Sequence, residues 1–315
     1  MNSPLATPKA TIETLQAFGL YTKKRLGQHF LIDDNVIGRI LDAANLSTAD
    51  KVLEIGPGIG VLTVALLREA GEVLALEYDS ALLEVLEHTT EKSPKLVVLN
   101  EDALNISKLH LPLKPTKLIA NLPYQVAATN VLDCFEYLSS IKQATVMVQR
   151  EVAERMAAQP GTKAYGAYSA KLQLLAQPTG SFAVSRNSFL PPPRVDSSVI
   201  TLIRHSDDNA LVSDLDHYRR VAKLIDASFA QRRKTLYNNL RAAEAKQETS
   251  QHISQKVAPA VSESLPESNA LKTKAAGDMQ TLAEAIEAAG FSPSARAETL
   301  SPADFVRLEA ALSLR

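Results

Sequence analysis

Hydrophobic and polar positions follow two different patterns along the chain. From residue 51 to about 203, short apolar runs recur between segments with helical spacing. The runs Lys51–Ile55, Glu72–Leu76, Leu96–Leu99, Lys117–Ala120 and Ala144–Gln149 are bounded by Gly, Asn and Asp and read as buried strands. Between them, residues 61–70, 80–90, 129–138 and 151–158 carry apolar side chains at helical intervals. Two helices precede this block, at Thr11–Leu20 and Ile32–Asn45, the second with Asp33, Asp34 or Asn35 available as a cap. Tyr165–Leu175 reads as helical, and Phe182–Ser185 and Ser198–Ile203 as a closing antiparallel pair of strands. From about Asn209 the pattern is helical throughout, with helices predicted at Tyr218–Ala230, Thr281–Ala289, Ser294–Ala297 and Pro302–Ser313.

Strands alternating with helices predict an α/β fold with a mainly parallel sheet, and the helical remainder a second, small all-helical domain. The boundary is predicted near residue 205, giving domains 1–205 and 206–315. Within the latter, residues 242–278 are rich in Ala, Ser, Glu, Lys and Gln and lack aromatics, as in a flexible or weakly helical insertion.

Composition narrows the function classes. A net charge of −1 makes the chain no polycation, so nucleic-acid affinity would have to come from local basic patches. One cysteine, Cys134, leaves no internal disulfide and makes a cysteine metal cluster implausible, so no metal is expected. No run of 18 apolar residues exists, and Met1–Thr22 lacks a signal pattern. Cytoplasm, no membrane partner and a monomer are the expectations.

The first strand ends in Glu54 and runs into Gly56-Pro57-Gly58-Ile59-Gly60 before a helix. Strand, glycine loop and helix in that order form the nucleotide-binding unit of a doubly wound sheet. The spacing is G-x-G-x-G, and Val61 stands where a dinucleotide fingerprint needs its last glycine. A carboxylate at Glu54 would repel a pyrophosphate and suits a cationic ligand without phosphate, such as S-adenosylmethionine. Glu77, after the second strand, stands where an acid holds ribose hydroxyls. Asp102, after the third, could accept a hydrogen bond from an adenine amine. Each acid alone reads more simply as a cap or solvated residue; one after each of three successive strands departs from chance.

The fourth strand ends in Asn121-Leu122-Pro123-Tyr124, which offers an amide acceptor, a rigid backbone carbonyl and a stacking face. By themselves these four residues read more readily as a strand-ending turn than as a site. The run Phe189-Leu190-Pro191-Pro192-Pro193-Arg194-Val195-Asp196-Ser197 is extended by its prolines and could hold Phe189 against a base. Basic segments occur at Lys23-Lys24-Arg25 and Arg232-Arg233-Lys234, with Arg194 in the proline loop. Solvated surface is the simpler account of each.

Taken together, Lys24 to Leu31, Glu54 to Gly60, Asn121 to Tyr124, Phe189 to Ser197 and Gln231 to Leu236 resemble the motifs of the ribosomal RNA adenine N6-dimethyltransferases, in their bacterial small-subunit branch. The resemblance covers roughly residues 10–240, and five motifs in order are far more specific than any one. It implies a Rossmann-like class I S-adenosylmethionine-dependent methyltransferase domain with a small C-terminal helical RNA-binding domain. The implied activity is dimethylation of N6 on two adjacent adenosines near the 3′ end of 16S rRNA, in the small (30S) subunit or its precursor, with a role in ribosome biogenesis. By position, donor contacts fall on His29, Leu31, Gly56, Glu77, Asp102 and Asn121, and S-adenosylhomocysteine is the product. Asn121, Leu122, Pro123, Tyr124 and Phe189 form the implied catalytic set. Lys23, Lys24, Arg25, Arg194, Arg232, Arg233 and Lys234 are the expected RNA contacts. Two alternatives remain at this point: a large-subunit rRNA adenine methyltransferase of the antibiotic-resistance type, and a non-catalytic assembly or transcription factor on the same fold. Leu122 and the triple proline favour the small-subunit branch.

Overall fold

The structure, a computed structural model, describes residues 1–21, 28–257 and 282–314, with 247–257 as backbone only. Its contacts divide the chain into two compact units. One comprises Met1–Ala157 and Leu175–Asn209, the other Ala158–Leu174 and Ala210–Arg315.

The first unit contains, in chain order, α1 (Pro8–Ala17), β1 (Phe30–Leu31), α2 (Asp34–Ala44), β2 (Lys51–Ile55), α3 (Val61–Glu69), β3 (Glu72–Leu76), α4 (Leu83–Thr89), β4 (Leu96–Leu99), β5 (Lys117–Asn121), α5 (Ala127–Tyr137), β6 (Gln143–Gln149) and α6 (Arg150–Met156). After α7 (Ala167–Gln173), which belongs to the second unit, come β7 (Ala176–Val184), β8 (Phe189–Leu190) and β9 (Ser197–Arg204). Seven strands form one sheet in the order β4-β3-β2-β5-β6-β9-β7. The first five are parallel, and β9 pairs antiparallel with both β6 and β7. This is a doubly wound, Rossmann-like α/β fold. β2, β3, β5 and β6 read as continuous apolar runs because parallel strands are covered on both faces. The chain winds outward from β2 through β3 to β4, then returns to the other side of β2 at β5. Strand order therefore reverses between β2 and β5, and a ligand crevice belongs outside their carboxyl ends. Glu54 and the glycine loop lie at one lip of that crevice, and Asn121 at the other.

Local chemistry fixes the element ends. The Thr7 side chain accepts from the Ala10 N–H to start α1, and Asp33 accepts from the Asn35 N–H to start α2. Asn45 closes α2 in the left-handed conformation, with φ 44°. The core cluster runs from Leu15 and Ile37 through Leu66 and Val73 to Met147 and Val199.

Two features depart from expectation. β7 begins at Ala176, six residues before the predicted start, because Pro178 and Gly180 hide its alternation and mark a bulge against β9. β1 and β8 form a two-stranded antiparallel ribbon, with Phe30 opposite Leu190 and Leu31 opposite Phe189. Pairs this short between distant segments leave no local signal.

The second unit holds α7, α8 (Leu215–Ser228), α9 (Leu236–Val257), α10 (282–288) and α11 (Pro302–Ser313). Residues 158–174 belong here rather than with the sheet, because the buried Tyr165 hydroxyl donates to the Leu300 carbonyl at 2.8 Å and the Gly161 N–H to the Glu298 carbonyl at 2.7 Å. Phe229 packs between Tyr165 and Phe305 at centroid distances of 6.1 and 6.0 Å. Ser301 and Asp304 close a capping box at α11, with Pro302 in its first turn. Residues 294–297 are not a helix; a short 3-10 turn covers Ala297–Thr299 instead. The segment 242–257 continues α9, and 258–278 lies outside the described residues.

Candidate active site

The crevice at the strand-order reversal is a cavity of about 1050 Å³, walled by the segments that leave β2, β3, β4, β5 and β8 and by Gln28–Leu31. Its floor is the glycine loop. Gly58 has φ +62°, and a Cβ there would stand 3.1 Å from the Phe30 ring. Gly60 has φ +87°, and a Cβ there would meet the Thr89 hydroxyl at 2.9 Å. Both positions need glycine to bring the backbone this close to its neighbours.

Three acids face this floor and differ in their bonding. Glu77 accepts from the Gly58 N–H at 3.1 Å and the Asp79 N–H at 2.8 Å, so it holds the loop in shape. Burial pushes its carboxyl upward, against the pull of those two N–H groups. Asp102 accepts from the Leu104 N–H at 3.0 Å through Oδ1 and starts the turn Ala103–Lys108. Glu54 is 2% exposed and its Oε2 has no hydrogen-bond partner. Burial first, then the charge of Glu77, pushes its carboxyl up to about 8, opposed by Thr63. Glycines that admit a close ligand, Glu77 and Asp102 at two strand ends, and an orphaned buried carboxyl fit a cationic nucleoside better than a phosphate.

At the opposite lip, Asn121 Nδ2 donates to the His29 carbonyl at 3.1 Å. That bond fixes the amide, so Oδ1 remains as an acceptor. The Pro123 carbonyl already accepts from the Val126 N–H at 3.1 Å, whereas among the described residues no donor reaches the Leu122 carbonyl. The Tyr124 hydroxyl is bonded to the buried Ser197 hydroxyl at 2.5 Å, which fixes the outer end of the ring. Its phenol is raised, chiefly by burial. The His29 ring stacks on Tyr124 at 5.6 Å and 26°, and its Nδ1–H donates to the Pro191 carbonyl at 2.7 Å. One side chain thus links the proline wall to the Tyr124 ring.

The structure brings together His29, Leu31, Gly56, Glu77, Asp102 and Asn121 to Tyr124 around this cavity, with Arg194 in its wall. Phe189 is the correction. Its ring is 2% exposed, lies in the core cluster opposite Leu31, and does not line the cavity. The β1–β8 ribbon turns both residues inward, so Phe189 anchors the wall that Pro191 to Val195 present. Sequence reading missed Ser197, His29 as a ring partner of Tyr124, Tyr78 and Gln149 in the lining, and an adjoining cavity of about 540 Å³ that carries Arg150 and Arg186. No local signal marks the Ser197–Tyr124 pair, whose members lie 73 residues apart.

The basic run of the second unit lies on the exposed turn between α8 and α9. Arg232 is engaged there, paired with Glu298 at 3.1 Å and donating to the Lys163 carbonyl at 2.8 Å. Arg233 and Lys234 are exposed. Lys23, Lys24 and Arg25 lie outside the described residues. Among the described residues no group of three or more His, Cys, Asp or Glu could hold a metal, and no helix is long and apolar enough to cross a membrane.

A mainly parallel, doubly wound sheet with a glycine loop and acids at its strand ends defines a nucleoside-binding crevice. The family model for ribosomal RNA adenine dimethylase matches residues 19–283. A protein of Streptococcus thermophilus named ribosomal RNA small subunit methyltransferase A is 36% identical over 314 residues, covering 98% of both chains. One of the same name from Listeria welshimeri is 41% identical over 250 residues, covering 76% of this chain and 83% of its own. A solved dimethyladenosine transferase from Plasmodium falciparum superposes with a TM-score of 0.69 at 27% identity, over 89% of this chain and 96% of that one. The structure of the 23S rRNA methyltransferase ErmE, at 22% identity and a TM-score of 0.60 over 90% and 99% of the two chains, shares the fold. The chain belongs to the ribosomal RNA adenine dimethylase family. Its methyl donor is S-adenosylmethionine and its substrate class is ribosomal RNA.

Proposed function

We propose that the chain dimethylates N6 of two adjacent adenosines near the 3′ end of 16S rRNA, in the small subunit or its precursor, as a monomer in the cytoplasm. The observation that carries this reading is the convergence on one cavity of the pinned Asn121 amide, the unengaged Leu122 carbonyl and the Tyr124 ring, facing the glycine loop. Relatives named for the small subunit support the choice of subunit.

The amine of adenine is a weak nucleophile because its lone pair is delocalised into the ring. Asn121 Oδ1 accepts one N6 proton and the Leu122 carbonyl the other. Two acceptors so placed favour a pyramidal nitrogen with a localised lone pair. Tyr124 stacks on the base, and Ser197 keeps the ring in plane for it. Each target base must leave its stack to enter the cavity. When bound, the donor supplies a methyl group on a cationic sulfur. Transfer to N6 would leave the donor as a neutral thioether; this chain's residues align the amine for it and leave the spare N6 proton a path to water. Catalysis is positioning and electrostatics, with no residue forming a covalent bond. The helical second unit binds RNA. Arg194, Arg233, Lys234 and the cations of Lys23 to Arg25 meet phosphates, and Arg232 holds the turn that carries two of them.

The test is to incubate the protein with labelled donor and, separately, immature small subunits, naked 16S rRNA, large subunits and DNA, then map the product. Label on two neighbouring adenosines of the small subunit is expected. Label confined to large-subunit rRNA or DNA would overturn the reading.

A further inference from the structure

Glu54 is a buried ionisable group in the cavity lining that the methyl-transfer scheme leaves unused. It stands next to last in β2 and lines the donor cavity while being almost wholly screened from water. Its neighbours do little to satisfy an anion. From α3, Thr63 leans toward it, yet the Thr63 hydroxyl makes no full hydrogen bond of its own. From β3, Glu77 presents a like charge. From β5, the neutral Asn121 lines the same cavity. His29, Asp79 and Asp102 line the same cavity. Among the described residues Arg194, in the proline wall, is the one guanidinium or ammonium that lines this cavity, and Glu54 Oε2 has no hydrogen-bond partner; the positive charge proposed to answer Glu54 is the ligand's.

Resting on the methyltransferase reading above, we propose that Glu54 couples donor binding to proton release, and so discriminates the cationic donor from the neutral-sulfur product by charge. Without a ligand cation in the cavity, the carboxyl keeps its proton, in line with its upward displacement to about 8. A sulfonium in the cavity favours the carboxylate, and the proton goes to solvent. The thioether product has lost that charge, so Glu54 takes a proton back, and its attraction for the ligand falls at the moment release is required. The α-ammonium of the methionine moiety is common to donor and product and cannot discriminate between them. Only a response confined to the donor identifies the sulfonium as the partner. Preference for donor over product then rises with pH below about 8, approaching tenfold per pH unit where Glu54 starts protonated and ends ionised.

The full chain is titrated with S-adenosylmethionine and with S-adenosylhomocysteine by calorimetry, in two buffers of different ionisation enthalpy, from pH 6 to 9. At pH 7 the donor should release close to one proton and the product none. The donor-to-product affinity ratio should climb with pH and flatten above about 8. In Glu54→Gln the release should vanish and the ratio become independent of pH. Equal release on binding both ligands would overturn the proposal, because the carboxyl would then answer the shared ammonium. No release with either ligand, or unchanged release in Glu54→Gln, would overturn it as well. The wild-type titrations decide the matter even if the variant folds poorly. A wild-type chain that binds neither ligand would instead refute the methyltransferase reading.

Discussion

Replacing Asn121 by alanine removes two interactions of different kinds. One is structural: the Nδ2 donor to the His29 carbonyl at 3.1 Å, a neutral bond of about 1 kcal/mol. For a chain of this size that lowers the thermal midpoint by about 2–4 °C. The other exists only with a base in place: the Oδ1 acceptor for an N6 proton, which strengthens as the nitrogen develops positive charge. By analogy with a single preorganised oxyanion-hole donor, its removal costs about 2.7–4 kcal/mol of barrier, or 10²–10³ in kcat. Asn121→Asp separates the two. It restores an acceptor but sets a carboxylate oxygen against the His29 carbonyl, in a cavity that already holds Glu54 and Glu77. The assay is single-turnover methylation of small subunits at saturating donor, with donor affinity measured separately by calorimetry. Alanine should lower the rate about 100-fold at unchanged stoichiometry, and aspartate should not restore it. An alanine variant that turns over at the wild-type rate would show that Asn121 does not accept from the amine. A loss fully explained by weaker donor binding would refute the reasoning equally.

Three other predictions follow from groups described here or bonded nearby. Because the folded state raises the Glu54 carboxyl from 4.5 to about 8, the folded protein binds more protons than the unfolded chain across that window. Its contribution is complete below about 4.5 and is lost as pH rises toward 8, by on the order of 5 kcal/mol. Urea unfolding from pH 5 to 9 should show this decline in the wild type and a flatter profile in Glu54→Gln; parallel profiles would contradict it. At the other end of the sheet, Lys117 pairs with Asp50 at 3.2 Å and donates to the Ala44 and Asn45 carbonyls at 2.9 and 2.6 Å, tying β5 to the end of α2. Lys117→Met should destabilise by about 1–3 kcal/mol while leaving donor affinity intact, read by thermal unfolding and calorimetry. Asn239 donates from a buried amide to the Ser228 and Gln231 carbonyls at 2.6 and 3.1 Å, holding the turn that carries Arg232 to Lys234. Asn239→Ala should cost about 2 kcal/mol and speed amide exchange at residues 231–235, with weaker RNA binding.

How much of this was legible depended on whether the signal was local. Lys51–Ile55 and Glu72–Leu76 declare themselves because a strand covered on both faces is largely apolar, and Leu96–Leu99, at the sheet edge, because its four residues are all Leu or Val; all three occupy their predicted spans. The glycine loop and Asn121 to Tyr124 are likewise visible as residue types at strand ends. What stayed hidden lies in pairings across long separations. The orientation of the Asn121 amide is set by a carbonyl 92 residues away. Phe189 looked available to a base because it borders three prolines, but whether its ring faces cavity or core is decided by a two-residue ribbon with Leu31. Residues 158–174 fall inside the predicted domain 1–205, whereas Tyr165 and Gly161 bond to Leu300 and Glu298 in the second unit. The division of labour among Glu54, Glu77 and Asp102 also escapes sequence, since three strand-end acids look alike until their partners are known.

The bond from His29 to Pro191 joins groups 162 residues apart in the chain, and the ribbon beside it spans nearly the same interval. During synthesis the glycine loop and β5 emerge well before the proline segment that completes the cavity wall. At about 5–20 residues per second, the arm bearing His29 waits roughly 8–30 s for its partner. Through that interval the nascent enzyme has the strands of its donor site but no finished wall to the crevice. A ribosome that makes this chain therefore releases it into competence late, only after β8 has cleared the exit tunnel and closed against β1.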